Sequence, residues 1–334
     1  MTAPSGILVS REPVRARDGL IRVGTRGSAL AVTQTTGVAE RIAAATGAEV
    51  VLVIITTHGD TSRAPLSQLG GTGVFVSALR DALLAGECDL AVHSLKDLPT
   101  GPCEGIALGA IPERVDPRDA LCARDGLTLA ELPQGADVGT GSPRRAAQLL
   151  ARRPDLAVHD LRGNVDTRLG RVGRDLDAVV LAVAGLERIG RGGSITERFP
   201  LEDAPTAPGQ GALAIEARTE DAATPGAIAT ALAAVEHTDS RCTALAERSL
   251  LGTLEAGCAA PVGAWARIDE DGRIVLAGAV YRVDGSASLV RENSAQLPED
   301  PFARAETAYA LGAAVARALL DAGAAQLADL GAAR

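Results

Sequence analysis

Several short stretches of this sequence combine residue types that can do chemistry. Two of them place hydroxyl and guanidinium groups at the start of a predicted helix: Thr25-Arg26-Gly27-Ser28 and Thr140-Gly141-Ser142-Pro143-Arg144-Arg145. A third, Arg162-Gly163-Asn164-Val165-Asp166-Thr167-Arg168, sets two arginines around a glycine turn. A hydroxyl and an arginine beside the unpaired N–H groups of a helix start make a carboxylate or phosphate site, because guanidinium contacts are strong and oriented. At any one turn, caps and solvated arginines explain the same residues; three such turns favour the anion site. Two other stretches carry a reactive group. Lys96-Asp97 follows a predicted strand, where a carboxylate can stabilise developing positive charge or move a proton. Cys258 follows a glycine among small residues ahead of Pro261, which favours access for an electrophile. Taken alone, the first is an ordinary surface ion pair and the second a buried, inert thiol.

The arginines also bunch. Arg144, Arg145, Arg152, Arg153, Arg162, Arg168, Arg171, Arg174 and Arg188 fall in one short part of a protein of net charge -9. A small ligand with several negative charges accounts for this, with Arg152, Arg153, Arg171 and Arg174 expected to lie outward. Lys96 is the one lysine among the 33 basic residues. The acidic balance argues against a nucleic-acid partner, which needs a basic surface to displace counterions. Aromatic residues make up 2% of the chain, so stacking is not a binding mode here. No Gly-x-x-x-x-Gly-Lys-Ser/Thr loop is present, which disfavours a nucleoside triphosphate. The five cysteines form no Cys-x-x-Cys pair, so neither a disulfide framework nor a metal site is indicated. The apolar run Gly6-Ile7-Leu8-Val9 is too short for a signal peptide and no later segment resembles a membrane span, so a cytoplasmic protein with no membrane partner is expected.

The elements that must position these residues alternate strand and helix. At 334 residues, two or three domains are expected. Residues 1–19 lack periodicity and read as a flexible extension. Leu20 to Val23 is a short strand, followed by a helix ending near Gly47; Glu49 to Thr56 is a buried strand, Val74 to Ala85 a helix stopped by Gly86, and Asp89 to His93 another strand. This is an α/β pattern with a mostly parallel sheet, whose ligands sit at the C-terminal ends of strands. A second unit begins near Asp116. In it Ser142 caps a helix with Pro143 at its first position, Pro154 ends that helix, and Asp177 to Ala184 is a strand. Pro200 to Pro208 reads as a crossing or linker. After about Ala234 a smaller α+β domain follows, with strands joined at Asp271-Gly272 and a long Ala-rich terminal helix.

Taken in order, Gly24-Thr25-Arg26-Gly27-Ser28, His93-Ser94-Leu95-Lys96-Asp97-Leu98-Pro99, Asp116-Pro117-Arg118-Asp119-Ala120, Leu161-Arg162-Gly163-Asn164-Val165-Asp166-Thr167-Arg168 and Glu255-Ala256-Gly257-Cys258 resemble the porphobilinogen deaminase family. Gly139 to Arg145, Ala182 to Leu186 and Pro208-Gly209-Gln210-Gly211-Ala212 are similar to it as well, in register from about Leu20 to the end. The resemblance implies two α/β domains of periplasmic-binding-protein type, residues 20–112 with 212–231 and residues 113–211, and a smaller α+β domain over 234–334 that carries the cofactor cysteine. It implies a monomeric transferase of tetrapyrrole biosynthesis. Four molecules of porphobilinogen would condense with loss of ammonia on one covalent dipyrromethane, and hydrolysis would release the linear product. Cys258 would hold the dipyrromethane by a thioether, and Asp97 would be the catalytic carboxylate that stabilises the cation left when ammonia departs. Arg26, Ser28, Gln34, Lys96, Thr140, Ser142, Arg144, Arg145, Arg162, Arg168 and Arg188 would bind the acetate and propionate groups of substrate and cofactor.

The sequence departs from the family pattern where Gln68 and Thr72 stand in place of frequent lysines, His58 in place of arginine and Gly141 in place of serine. Two rival classes remain distinguishable. A non-catalytic binder of small polyanions has no need of Asp97 or Cys258. A simple thiol enzyme would want a histidine base, and His58, His93, His159 and His237 show no link in sequence to Cys258.

Overall fold

The computed structural model describes residues 6–56, 73–257 and 260–330. It divides into two compact units, Met1–Arg114 with Ala212–Arg241, and Val115–Gly211 with Cys242–Arg334.

In the first unit β1 (Leu8–Ser10), β2 (Leu20–Thr25), β3 (Glu49–Ile54), β4 (Leu90–Ser94), β5 (Ile106–Ala110) and the returning strand β11 (Leu213–Arg218) form one sheet in the order β1-β3-β2-β4-β11-β5. β1 to β4 run parallel, and β11 lies antiparallel between β4 and β5. The runs Ile21-Arg22-Val23 and Val50-Val51-Leu52-Val53 are buried along their length, as strands covered on both faces must be. Helices α1 (Ala29–Thr46) and α2 (Gly73–Leu84) make the crossovers from β2 to β3 and from β3 to β4. α1 starts where Ser28 Oγ accepts from the Ala31 N–H at 3.2 Å, and ends at Gly47, whose φ of 68° is a left-handed cap suited to glycine. Ile21, Val23, Ile42, Leu52, Leu90 and Ile215 form the core, each burial contributing about 1.5–3 kcal/mol.

Residues 6–19 are not a loose extension, contrary to the sequence expectation. β1 pairs with β3 from Leu8 opposite Val51 to Ser10 opposite Val53, Ile7 is buried, and Val14 O accepts from the Arg22 guanidinium at 3.1 Å. Backbone pairing at an open sheet edge holds this stretch, and such pairing leaves no periodic trace in three residues.

In the second unit β6 (Asp119–Ala123), β7 (Asp137–Gly139), β8 (Ala157–His159), β9 (Ala178–Ala182) and β10 (Glu197–Arg198) form a sheet in the order β10-β6-β9-β7-β8. Its helices are α3 (Pro143–Arg152), α4 (Val165–Leu169) and α5 (Val183–Arg188). The strand expected to reach Ala184 stops at Ala182, and Val183 already begins α5. Short helices α6 (Thr219–Ala223) and α7 (Ala227–Val235) follow β11 in the first unit, and α8 (Thr238–Thr253) leads into the last segment. There β12 (Val262–Ile268), β13 (Arg273–Tyr281) and β14 (Ser288–Gln296) make an antiparallel sheet covered by α9 (Pro301–Asp321) around Leu250, Leu276, Val280, Leu311 and Val315.

Close backbone approaches explain why the three-stranded sheet and the five-stranded sheet lie in one unit. Thr206 bridges to Ala264, and a Cβ at Gly263 would meet Pro205 O at 2.6 Å. Gly285, at the β13–β14 turn with φ 75°, leaves no room for a side chain beside Ala151 N and Ala147 O of α3. The buried Glu247 accepts from Gly209 N at 2.7 Å and Ala266 N at 2.8 Å. The stretch Pro200 to Pro208, expected as a linker, is therefore packed: Ala204, Pro205 and Thr206 are buried.

Candidate active site

In the first unit the candidate residues gather where parallel strands end. Arg26 follows the last residue of β2, and Ser28 caps α1. Gln34, one turn into α1 and buried, accepts from Ser94 Oγ at 3.2 Å. β4 ends at Ser94 and turns directly into a 3₁₀ turn of Leu95, Lys96 and Asp97, pinned by two backbone hydrogen bonds: the Leu95 N–H donates to Ala212 O at 3.0 Å and the Leu98 N–H to Leu95 O at 3.1 Å. Lys96 and Asp97 are thus partly buried at the C-terminal end of a central strand, where open α/β sheets bind ligands. Among the described residues the Asp97 carboxylate takes part in no hydrogen bond or ion pair, so the surface pair with Lys96 is not formed. Beneath this turn Glu216 accepts from Arg80 at 2.7 Å, and His93 Nε2 lies 3.2 Å from it but off line for a hydrogen bond. Burial alone would raise the Glu216 carboxyl; His93 and Arg80 outweigh it and hold it low.

In the second unit the turns fall at the ends of β7, β8 and β9. Thr140 is buried after β7, and its Oγ1 accepts from Ser142 N at 3.3 Å. Ser142 caps α3, with Pro143 at its start. A Cβ at residue 141 would meet Leu161 O at 2.6 Å, so the glycine here suits a backbone contact that a serine would have to displace. Asn164 caps α4 by accepting from Thr167 N at 2.8 Å, and Gly163 before it has φ 107°.

The arginines separate into distinct groups. Arg144 and Arg145 do not offer open guanidinium groups, contrary to the reading that aimed them at a ligand from their turn. Both are buried on Asp119: Arg144 Nη1 to Oδ2 at 2.8 Å, Arg145 Nη2 to Oδ1 at 2.7 Å. Gln210 Nε2 donates to the same carboxylate at 2.8 Å, and Arg145 also donates to Val180 O at 3.1 Å. Burial would raise the Asp119 carboxyl, but the two arginine charges and these hydrogen bonds hold it well below the usual range. The physical reason is the low-dielectric interior, where a buried guanidinium needs a carboxylate. Arg153 and Arg171 are taken up by Asp155 and Asp175, and Arg152 lies 5.6 Å from the centre of the Phe199 ring.

Arg168 and Arg188 are different. Each is partly buried and donates to a backbone carbonyl, Arg168 to Gly163 O at 2.7 Å and Arg188 to Gly211 O at 2.9 Å. Among the described residues neither has a carboxylate within ion-pair distance. Burial lowers both guanidinium groups, and the charges of Arg145 and Arg162 lower Arg168 further while Asp160 opposes them. Arg162 is exposed and lies 3.3 Å from Asp160. Such uncompensated positive charge fits a bound group that carries carboxylates.

Cys258 lies outside the described residues, as do His58, Gln68 and Thr72. Burial pushes the thiols of Cys88 and Cys122 up to about 12 and about 11, which makes both poor nucleophiles. His159 pairs with Asp137 and His237 Nδ1 with Ser240 Oγ, so each has its own local partner. Sequence reasoning assigned no role to Asp119 or Gln210. Both stand inside short motifs, but nothing local shows that two arginines beyond a helix cap fold back onto them.

An α/β protein with a strand-end carboxylate and desolvated, uncompensated arginines is one equipped to handle a small polyanion. Residues 21–225 match the family model described as porphobilinogen deaminase, dipyromethane cofactor binding domain, and residues 241–321 match the porphobilinogen deaminase C-terminal domain. The chain belongs to the porphobilinogen deaminase family and is a transferase of porphyrin biosynthesis with a dipyrromethane cofactor. It is 59% identical to the porphobilinogen deaminase of Leifsonia xyli over 97% of this chain and 99% of that one. It is 55% identical to that of Thermobifida fusca over 92% and 95%. Among solved structures, a methionine-binding protein, MetQ, covers 65% of this chain and 90% of its own at 13% identity and a TM-score of 0.44. Among the described residues no helix is long and apolar enough to cross a membrane.

Proposed function

We propose that this chain condenses four porphobilinogen molecules with Asp97 as the catalytic carboxylate and Cys258 as the point of thioether attachment of the dipyrromethane. When bound, that group supplies the pyrrole carbon from which the chain is extended. Among the described residues the Asp97 carboxylate has no competing partner at its strand end, so it can stabilise the positive charge that develops on the substrate as ammonia leaves. Arg162, Arg168 and Arg188 take the carboxylates of cofactor and substrate. Arg144 and Arg145 hold Asp119 and the start of α3, and their charge adds to the field in which those carboxylates sit. Thr140 and Ser142 in that turn, with Arg26, Ser28, Gln34 and Lys96 in the first unit, complete the binding set. The enzyme works as a cytoplasmic monomer.

The observation that carries this reading is the pair Arg168 and Arg188, partly buried cations that among the described residues have carbonyl partners only. The test is Asp97→Asn beside Asp97→Glu. Asparagine should lower kcat by about two to three orders of magnitude, as loss of an electrostatic stabiliser does, with KM changed less; glutamate should recover part of it. Unchanged kcat in Asp97→Asn would overturn the assignment. Intact mass of the purified protein, before and after Cys258→Ser, tests the attachment.

A further inference from the structure

β11 begins at Leu213, and the four residues before it are held one by one. The Gly209 N–H donates to Glu247 Oε2 at 2.7 Å. Gln210 Nε2 donates to Pro117 O at 2.7 Å and to Asp119 Oδ1 at 2.8 Å. Gly211 has φ 88°, and a Cβ there would meet Val115 O at 2.6 Å and Pro117 Cα at 3.2 Å. These are backbone atoms that no change of rotamer can clear, so the position requires glycine. The Ala212 carbonyl then accepts from the Leu95 N–H at 3.0 Å, Leu213 lies opposite Ser94 and Ala214 opposite His93. The turn that carries Lys96 and Asp97 thus hangs from the start of β11. The carbonyl one residue earlier, that of Gly211, accepts from Arg188 Nη2 at 2.9 Å. Two consecutive carbonyls therefore serve the turn with the candidate catalytic carboxylate and an arginine of the candidate binding set.

We infer that Gly211 is a positioning residue for Asp97: the backbone geometry that glycine permits aims the Ala212 carbonyl at Leu95 and so sets the Leu95–Asp97 turn. The inference rests on Asp97 being the catalytic carboxylate. Arg188 steadies the same backbone through the Gly211 carbonyl. Peptide groups are planar, so a rotation that moves the Gly211 carbonyl passes to the next one through the two dihedrals of Ala212 alone. Ala212 is buried, which leaves those dihedrals little room to absorb it. A carboxylate drawn to Arg188 is in this way felt at the turn that holds Asp97.

The experiment uses the full-length holoenzyme. Gly211→Ala is compared with wild type, with Asp97→Asn, with the double variant and with Gly135→Ala, whose φ is 74° but whose Cβ would meet nothing within 4 Å. The last carries the backbone strain without a displaced carbonyl. Two quantities are read: kcat, and hydrogen exchange at the Leu95 amide relative to the amides of Ala91 and Val92 inside β4. Gly211→Ala should lower kcat by about ten- to a hundredfold, the loss that a catalytic group misplaced by about an ångström produces. It should speed Leu95 exchange by about tenfold, as loss of one hydrogen bond does, with Ala91 and Val92 unchanged. In the Asp97→Asn background it should lower kcat by no more than about twofold, because both changes remove one function. A purely structural role would lower the melting temperature, speed all three amides alike and multiply the two losses in kcat. That result overturns the inference, as does a kcat equal to that of Gly135→Ala. If Gly211→Ala does not fold, Arg188→Met decides: losing the donor to the Gly211 carbonyl should speed Leu95 exchange by about three- to tenfold, and an unchanged rate overturns the inference. An unchanged kcat in Asp97→Asn alone would instead defeat the catalytic carboxylate, and the Leu95 exchange rate would still report whether Gly211 sets the turn.

Discussion

Replacing Asp119 by alanine removes the one carboxylate that compensates two buried arginines. Arg144 would keep Gln148 Oε1 and Pro205 O, and Arg145 would keep Val180 O and Gln210 Oε1, but neither would keep a counter-charge. Breaking a buried pair by deleting one partner costs about 3–5 kcal/mol. Spread over a chain of this size, that lowers the melting temperature by about 4–7 °C. Asp119→Asn, which keeps an acceptor of the same shape, should lose less. The pH dependence fixes the cause. Asp119 is held below its unfolded value, so its contribution is complete above the unfolded value of about 3.9 and is lost as pH falls through the folded one. The deficit of Asp119→Ala against wild type should therefore be constant near neutrality and shrink as pH drops below about 4. Calorimetry or circular dichroism across pH 2.5 to 7 measures both. A variant that melts within about 2 °C of wild type at pH 7 would show that the two arginines do not depend on this carboxylate, and the argument about their burial would fail.

Three further outcomes follow from the same charges. Arg168→Ala and Arg188→Ala should each raise KM by about tenfold or more, as loss of a charge-assisted contact does, whereas Arg171→Ala, which breaks only an exposed pair with Asp175, should leave steady-state kinetics unchanged; equal losses at all three would mean that the cluster acts as a general field. Arg168→Ala should leave the apo-protein as stable or more stable, since an uncompensated, partly buried charge is removed, and a clear fall in apo melting temperature would contradict that. Holo-protein should melt above apo-protein by a margin that shrinks as salt rises, while Cys258→Ser should show no margin because it takes up no adduct; a salt-independent margin would point to apolar contacts in place of ion pairs.

What was legible in the sequence was what local chemistry determines. Ser28 and Ser142 cap helices because a side-chain oxygen reaches the N–H three residues on, and Gly47 ends α1 because its φ is positive. The buried strand β3 showed as a β-branched run. The stretches that misled were those whose partners are distant in the chain. Arg144 and Arg145 read as aimed at a ligand from a helix start, yet both bond Asp119, 25 and 26 residues upstream. Residues 8–10 had no pattern of their own and take their strand from β3. Pro200 to Pro208 has a linker's composition, but Pro205 O accepts from both Arg144 and Gln148, so its backbone polarity is used inside the unit.

The arginines of this acidic chain thus divide by partner, and the division bears on mechanism. Arg153 on Asp155 and Arg171 on Asp175 are neutralised, whereas Arg144 and Arg145 share the one carboxylate of Asp119 and leave one positive charge in excess. Arg168 and Arg188 keep their charge partly desolvated, which destabilises the protein unless something else supplies the negative groups. A product that gains carboxylates with every unit added meets that need more fully as it grows, so binding should tighten over the early additions and level off once these cations are matched. The thiols obey the same logic of access: burial raises Cys88 to about 12 and Cys122 to about 11, so neither is suited to capture an electrophile.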